Sequence, residues 1–239
     1  MGRTDRDGAE TDPASEGHRS PVTATSRCLN AGRPTVSSEF TLAGEESGDD
    51  PLTLFGRWLE DARAAAPVGA ETMVLATATP DGRPSARAVL LRGVDERGLV
   101  AYTDTRSRKG AELAANAWGA LVFVWPPLER QVRVEGPVVR VSDDEADDYF
   151  ATRPRGHRLA AWASHQTQPL ASRDDLEARV AEITERHRRD DVARPPWWGG
   201  YRVVPAEWEF WAGRENRVHD RVAYVGATDT GWERRRLSP

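Results

Sequence analysis

Residues 209–221 read Glu-Phe-Trp-Ala-Gly-Arg-Glu-Asn-Arg-Val-His-Asp-Arg, an aromatic strand followed by a turn and an alternating stretch. Strand geometry across that stretch sets Arg217, His219 and Arg221 on one face. Two arginines and a histidine beside Trp211 suit a pocket for a flat anionic ligand better than a core. His219 can exchange protons near neutral pH. No metal spacing accompanies it: His157, His165, His187 and His219 are too scattered. No P-loop, nucleophile elbow or Gly-x-Gly-x-x-Gly run occurs.

Other cationic side chains stand where an ordinary element would not put them. Residues 105–110, Thr-Arg-Ser-Arg-Lys-Gly, precede an alanine-rich helix. Cations are unfavourable in a first turn, so Arg108 and Lys109 beside free N–H groups point to anion binding, with a charged helix start as the plainer reading. Lys109 is the only lysine, in a chain otherwise committed to arginine. That bias would have placed arginine at 109 as well. Arg87 shares a strand face with Val89 and Leu91, which fits an edge strand in solvent or one that faces a ligand. Residues 153–158 contain three arginines and His157, with Tyr149 one helical turn before Arg153. They form either a solvated loop or a cluster held together by an anion such as a phosphate. Gln131, on an alternating strand, reads as structural when taken alone.

The elements that must position these groups follow from caps, turns and periodicity. Asp50-Pro51 predicts a helix start, with Leu52, Phe55, Leu59 and Ala62 at helical spacing beside Trp58 and an end at Pro67. Strands are predicted at 73–79, 83–92 and 99–103, separated by Pro80-Asp81-Gly82 and by a turn at 94–98. A helix at 107–117 precedes strands at 121–125 and 130–141. Ser142 with Glu145 predicts a capping box for a helix at 143–152. A charged helix at 172–188 and strands at 203–211, 218–224 and 231–237 complete the chain. This order predicts a mainly β fold, an antiparallel barrel with helices packed outside.

Residues 1–49 are rich in Gly, Ser, Thr, Asp and Glu with Phe40 their only aromatic, and are expected to be a disordered tail ahead of one domain at 50–239. The formal net charge of −5 argues against a nucleic-acid partner. No apolar run suits a membrane span or a signal peptide, so a soluble cytoplasmic protein is expected. One cysteine, Cys28, excludes an internal disulfide and a cysteine-rich metal site.

In this order the chain carries Arg87-Ala88-Val89-Leu90-Leu91, Tyr102-Thr103, Ser107-Arg108-Lys109, Leu128-Glu129-Arg130-Gln131-Val132, Tyr149-Phe150 with Arg153-Pro154-Arg155, Ala161-Trp162-Ala163-Ser164, Trp198-Gly199-Gly200, Arg217-Val218-His219-Asp220-Arg221 and a terminal Arg236-Leu237-Ser238-Pro239. Over about residues 50–239 this resembles the pyridoxamine 5′-phosphate oxidase family. The resemblance implies an FMN-binding split antiparallel β-barrel, a homodimer with two flavin sites at the subunit interface. It assigns Arg87, Ala88, Val89, Leu90, Leu91, Arg92, Tyr102, Thr103, Arg108, Lys109, Gln131, Gln166, Thr167, Trp211 and Arg221 to the cofactor. Arg87, Arg108 and Lys109 would take the FMN phosphate. Arg92, Tyr149, Arg153, His157, Arg217 and His219 would hold substrate, the last two near its ring in positioning and proton-handling roles. The implied reaction converts pyridoxamine or pyridoxine 5′-phosphate to pyridoxal 5′-phosphate by hydride transfer to flavin, with oxygen reduced to hydrogen peroxide.

Three departures fall on the substrate side. Arg92 stands where the family has lysine, His157 where it has serine, and residues 1–50 contain no tyrosine or Arg-Arg-x-Tyr motif. They keep open a paralogous oxidase of secondary metabolism acting on another ring, such as a dihydrophenazine. A cofactor-binding protein without turnover is a further reading, against which Arg217 and His219 argue.

Overall fold

The computed structural model describes residues 42, 48–189 and 191–239. The tail expected at 1–49 therefore lies almost wholly outside the described residues. Leu42 is an exception: its side chain is buried in the core, and its carbonyl accepts from Arg234 Nη2 at 3.2 Å. Helix α1 (Pro51–Ala65) begins as predicted, with the Asp50 carboxylate accepting from the Leu52 and Thr53 N–H groups at 3.1 and 3.0 Å. Its buried stripe runs through Leu54, Phe55, Trp58, Leu59 and Ala62, so Leu54 rather than Leu52 faces inward.

Among the described residues ten strands form one continuous antiparallel network: β1 (Thr72–Ala78), β2 (Pro84–Leu90), β3 (Gly93–Asp95), β4 (Gly98–Asp104), β5 (Trp118–Trp125), β6 (Arg130–Arg140), β7 (Trp198–Val203), β8 (Glu207–Ala212), β9 (Asp220–Ala227) and β10 (Gly231–Arg236). The main path is β10-β9-β8-β6-β5-β1-β2, and a second arm carries β7, β4 and β3. The arms part within β6. Its first half, Arg130 to Glu135, pairs with β8, and its last residues, Val138 to Arg140, pair with β7. Gly136 sits at the switch, where a Cβ would lie 1.9 Å from the Val204 carbonyl oxygen. Only glycine admits that approach. The curled sheet closes over α1, whose Phe55 ring meets Phe123 at 5.0 Å and Trp208 at 5.3 Å, while Trp58 stands edge-on to Phe210 at 5.3 Å.

The strand predicted at 203–211 is two strands. The chain leaves one arm at Val203 and joins the other at Glu207, and Pro205 between them has no N–H for either ladder. The turn predicted at 94–98 overlaps β3, whose three residues are too short to show periodicity.

Four further helices are described: α2 (Arg108–Ala115), which packs on β1, α3 (Asp143–Thr152), which packs on β7, and α4 (Arg155–Ala163) and α5 (Arg173–Arg186), which pack on each other. Ser142 Oγ caps α3 through the Glu145 N–H at 3.1 Å, but the Glu145 carboxylate bonds Arg202 Nη2 at 2.6 Å. The predicted capping box is half formed because a buried arginine competes for its acid. Helix α4 was not anticipated, since its arginine- and histidine-rich start resembles a loop. No helix among the described residues is long and apolar enough to cross a membrane.

Candidate functional site

Strands β2 and β4, the start of α2, the end of α3 and the face of α4 enclose a cleft of about 940 Å³. It brings together Arg87, Ala88, Val89, Leu90, Arg92, Tyr102, Thr103, Arg108, Lys109, Tyr149, Arg153, His157, Gln166 and Thr167. Leu91, just past the end of β2, does not join them; its side chain is buried in the core.

One wall is cationic and deeply held. Lys109 is buried, and its Nζ donates to Gln166 Oε1 at 2.6 Å, Thr103 Oγ1 at 2.9 Å and Ser107 Oγ at 3.1 Å, all neutral acceptors. Burial, then the nearby Arg87 charge, pull its ammonium down to about 8. Arg87 Nη1 donates to the Leu75 carbonyl at 3.0 Å and to Thr77 Oγ1 at 2.7 Å. The Arg108 N–H, expected to be free at the start of α2, is taken by Thr167 Oγ1 at 2.9 Å.

The other wall is aromatic and cationic. Tyr102 stacks on Tyr149 with ring centres 4.2 Å apart and planes at 13°, and on Trp198 at 5.3 Å and 5°. Burial, then the Glu145 charge, push the Tyr102 phenol up to about 12, so it stays protonated. The Arg153 guanidinium lies 4.7 Å from the Trp198 ring centre, and its Nη1 is buried without a hydrogen-bond partner. Such an orphaned donor fits an anionic ligand. Burial, with Arg92 nearby, lowers the Arg153 pKa. A Cβ on Gly200, the cross-strand partner of Tyr102, would lie 2.8 Å from Tyr102 Cε1. Gly200→Ala is therefore expected to displace the Tyr102 ring and change the near-ultraviolet circular dichroism while the far-ultraviolet spectrum persists. An unchanged near-ultraviolet spectrum would contradict this packing.

The remaining predicted residues form a second group outside that cleft. Gln131, Trp211 and Arg221 are cross-strand neighbours on β6, β8 and β9. The His219 ring centre lies 4.6 Å from that of Trp211. Arg221 is held by Glu209 Oε1 at 2.9 Å and the Ser238 carbonyl at 3.0 Å. Arg217 does not share a strand face with His219 and Arg221. It is exposed on a 3-10 turn, because Asn216 and Arg217 both adopt positive φ, 55° and 61°, and β9 starts only at Asp220. An Arg214–Asp220 ion pair at 2.7 Å closes the turn. Thr167 also has positive φ, at 68°, so two expected site residues carry the backbone strain that functional loops concentrate.

Sequence reasoning missed the acid behind the cleft. Glu112 is buried and accepts from Thr77 Oγ1 and Ser85 Oγ, both at 2.5 Å, and from Arg108 Nε at 2.8 Å. Its only sequence signal was a carboxylate on the buried face of an alanine-rich helix. Trp198 was seen as part of a motif but not as a wall of the site.

Residues 59–187 match the family described as pyridoxamine 5′-phosphate oxidase, and residues 198–239 match the pyridoxine 5′-phosphate oxidase C-terminal dimerisation region. A pyridoxine/pyridoxamine 5′-phosphate oxidase of Rubrobacter xylanophilus is 56% identical over 204 residues, 84% of this chain and 94% of that protein. One from Azorhizobium caulinodans is 51% identical over 207 residues, covering 86% and 95%. Among solved structures, PhzG from Burkholderia lata in complex with tetrahydrophenazine-1-carboxylic acid superimposes with a TM-score of 0.77 at 33% identity, over 83% of this chain and 98% of that one. An FMN-binding protein of Nostoc punctiforme shares the fold, with a TM-score of 0.65 at 19% identity over 80% and 98%.

Proposed function

The chain belongs to the pyridoxamine 5′-phosphate oxidase family, and on that premise we propose that it is an FMN-dependent oxidase converting pyridoxamine and pyridoxine 5′-phosphates to pyridoxal 5′-phosphate. The observation that carries this reading is one cleft with two cationic stations. Arg87, Arg108 and Lys109 form the first, and Arg92 and Arg153 with Tyr149 form the second. Two phosphorylated ligands need two such stations, and a cleft near the upper end of ordinary ligand pockets has room for both.

FMN, when bound, supplies the hydride acceptor. The first station holds its phosphate, with Thr103, Gln166 and Thr167 along the rest of the cofactor. The second grips the substrate phosphate, where Arg92 offers a planar fork and His157 a ring nitrogen. The protein is a homodimer. We assign Gln131, Trp211, Arg217, His219 and Arg221 to the cleft of the partner subunit, which explains why they gather outside their own. His219 Nδ1 accepts the Arg214 N–H at 3.1 Å, so the neutral ring carries its proton on Nε2 and presents a donor. Oxygen would be the final electron acceptor, reduced to hydrogen peroxide.

Pyridoxamine 5′-phosphate should yield pyridoxal 5′-phosphate, read by absorbance, at least about tenfold faster than unphosphorylated pyridoxamine yields pyridoxal. Equal rates would remove the second station from the account. Arg92 and His157 favour a second reading, an oxidase of a phenazine-type ring like the PhzG relative. Turnover of a dihydrophenazine carboxylate without turnover of either vitamer phosphate would select it.

Site sharing has its own test. Mixed dimers of Lys109→Ala and Arg217→Ala chains carry one intact site, so random exchange should restore about a quarter of wild-type activity. No restoration would place all these residues in one subunit's site.

A further inference from the structure

We propose that Glu112 is a positioning residue that pre-sets Arg87 and Arg108 for the phosphate of FMN; this rests on the cofactor reading above. A buried carboxylate behind an anion site looks contradictory, because its charge opposes the ligand's. Its contacts resolve the contradiction. Glu112 Oε1 accepts from Arg108 Nε at 2.8 Å. The Arg108 side chain is otherwise 61% exposed, and among the described residues no hydrogen bond engages its terminal amino groups, which remain for the cleft. Without that anchor an exposed arginine samples many rotamers, and the phosphate would have to order it on binding.

Oε2 works on the other arginine. It accepts from Thr77 Oγ1 and Ser85 Oγ, both at 2.5 Å, with Arg87 Nη2 at 3.4 Å. The same two hydroxyls accept from Arg87, Thr77 from Nη1 at 2.7 Å and Ser85 from Nη2. Each hydroxyl has one proton, and Glu112 takes it, which turns the oxygen lone pairs towards Arg87. Burial alone would raise the Glu112 carboxyl, but hydrogen bonds from Ser85, Thr77 and Arg108 outweigh it and bring it down to about 2. The group is thus ionised throughout the working range and acts as a fixed acceptor.

The test titrates full-length flavin-free protein with FMN and with riboflavin, which lacks the phosphate. Wild type should prefer FMN; if it does not, the cofactor reading itself fails. In Glu112→Gln, FMN affinity should fall at least about tenfold while riboflavin affinity stays within about twofold. Equal weakening of both ligands would show a merely structural role and overturn the proposal. Unchanged or tighter FMN binding would overturn it too, tighter binding being what a bare repulsive charge predicts. Should Glu112→Gln fail to fold, Thr77→Val decides: a loss of FMN preference of at least about threefold supports the proposal, and an unchanged preference refutes it.

Discussion

Lys109→Ala is expected to weaken FMN binding on the order of 100-fold and to abolish its pH dependence near pH 8. In the flavin-free protein the Lys109 ammonium is buried among neutral acceptors and titrates at about 8 instead of near 10.5. A phosphate favours the charged form, so FMN affinity should fall as pH rises through about 8. Stability of the flavin-free protein should move the other way. Between about 8 and 10.5 the unfolded chain holds a proton on this lysine that the folded chain has released. The group's stabilising contribution is therefore absent below about 8, grows across that window and is complete above it. Fluorescence titration with FMN and denaturant melts between pH 7 and 10 check both limbs. Wild-type affinity that is flat through pH 8 would remove Lys109 from the phosphate station.

Arg217→Ala should keep FMN and lose on the order of 1000-fold in kcat/KM. Arg217 is exposed, held at φ 61° by a turn that the Arg214–Asp220 pair closes. It makes no contact with the phosphate station of its own chain, so flavin retention should not depend on it. On the proposed reading, the strained surface conformation of this arginine serves the partner's substrate. Flavin content by absorbance and steady-state rates separate the two variants. Were Lys109→Ala to keep flavin and lose turnover while Arg217→Ala lost flavin, the two assignments would have to be exchanged.

Much of the fold was legible because it is written locally. The Asp50-Pro51 cap, the Pro80-Asp81-Gly82 turn and Ser142 before α3 all lie where the backbone begins or reverses. What local chemistry does not encode was lost. The break between β7 and β8 follows from β6 changing partners, and α4 hides in a run of arginines whose ring and carbonyl partners lie on distant segments. The site shows the same division. Residue types at 87, 108, 109, 149 and 153 suggested anion contacts, yet that these five share one cleft while Gln131, Trp211 and Arg221 gather outside it belongs to the sheet's topology. Glu112 escaped because its hydroxyl donors, Thr77 and Ser85, lie 35 and 27 residues away in sequence.

Oxidation of a vitamin B6 phosphate on FMN in this cleft can be followed in an oxygen electrode. Purified yellow protein is given pyridoxamine 5′-phosphate, and then pyridoxine 5′-phosphate, with pyridoxal 5′-phosphate and hydrogen peroxide measured in the same samples. Oxygen uptake should match both products in equal amounts at micromolar substrate. Bound FMN with no oxygen uptake and no pyridoxal 5′-phosphate from either substrate would contradict the proposed oxidation.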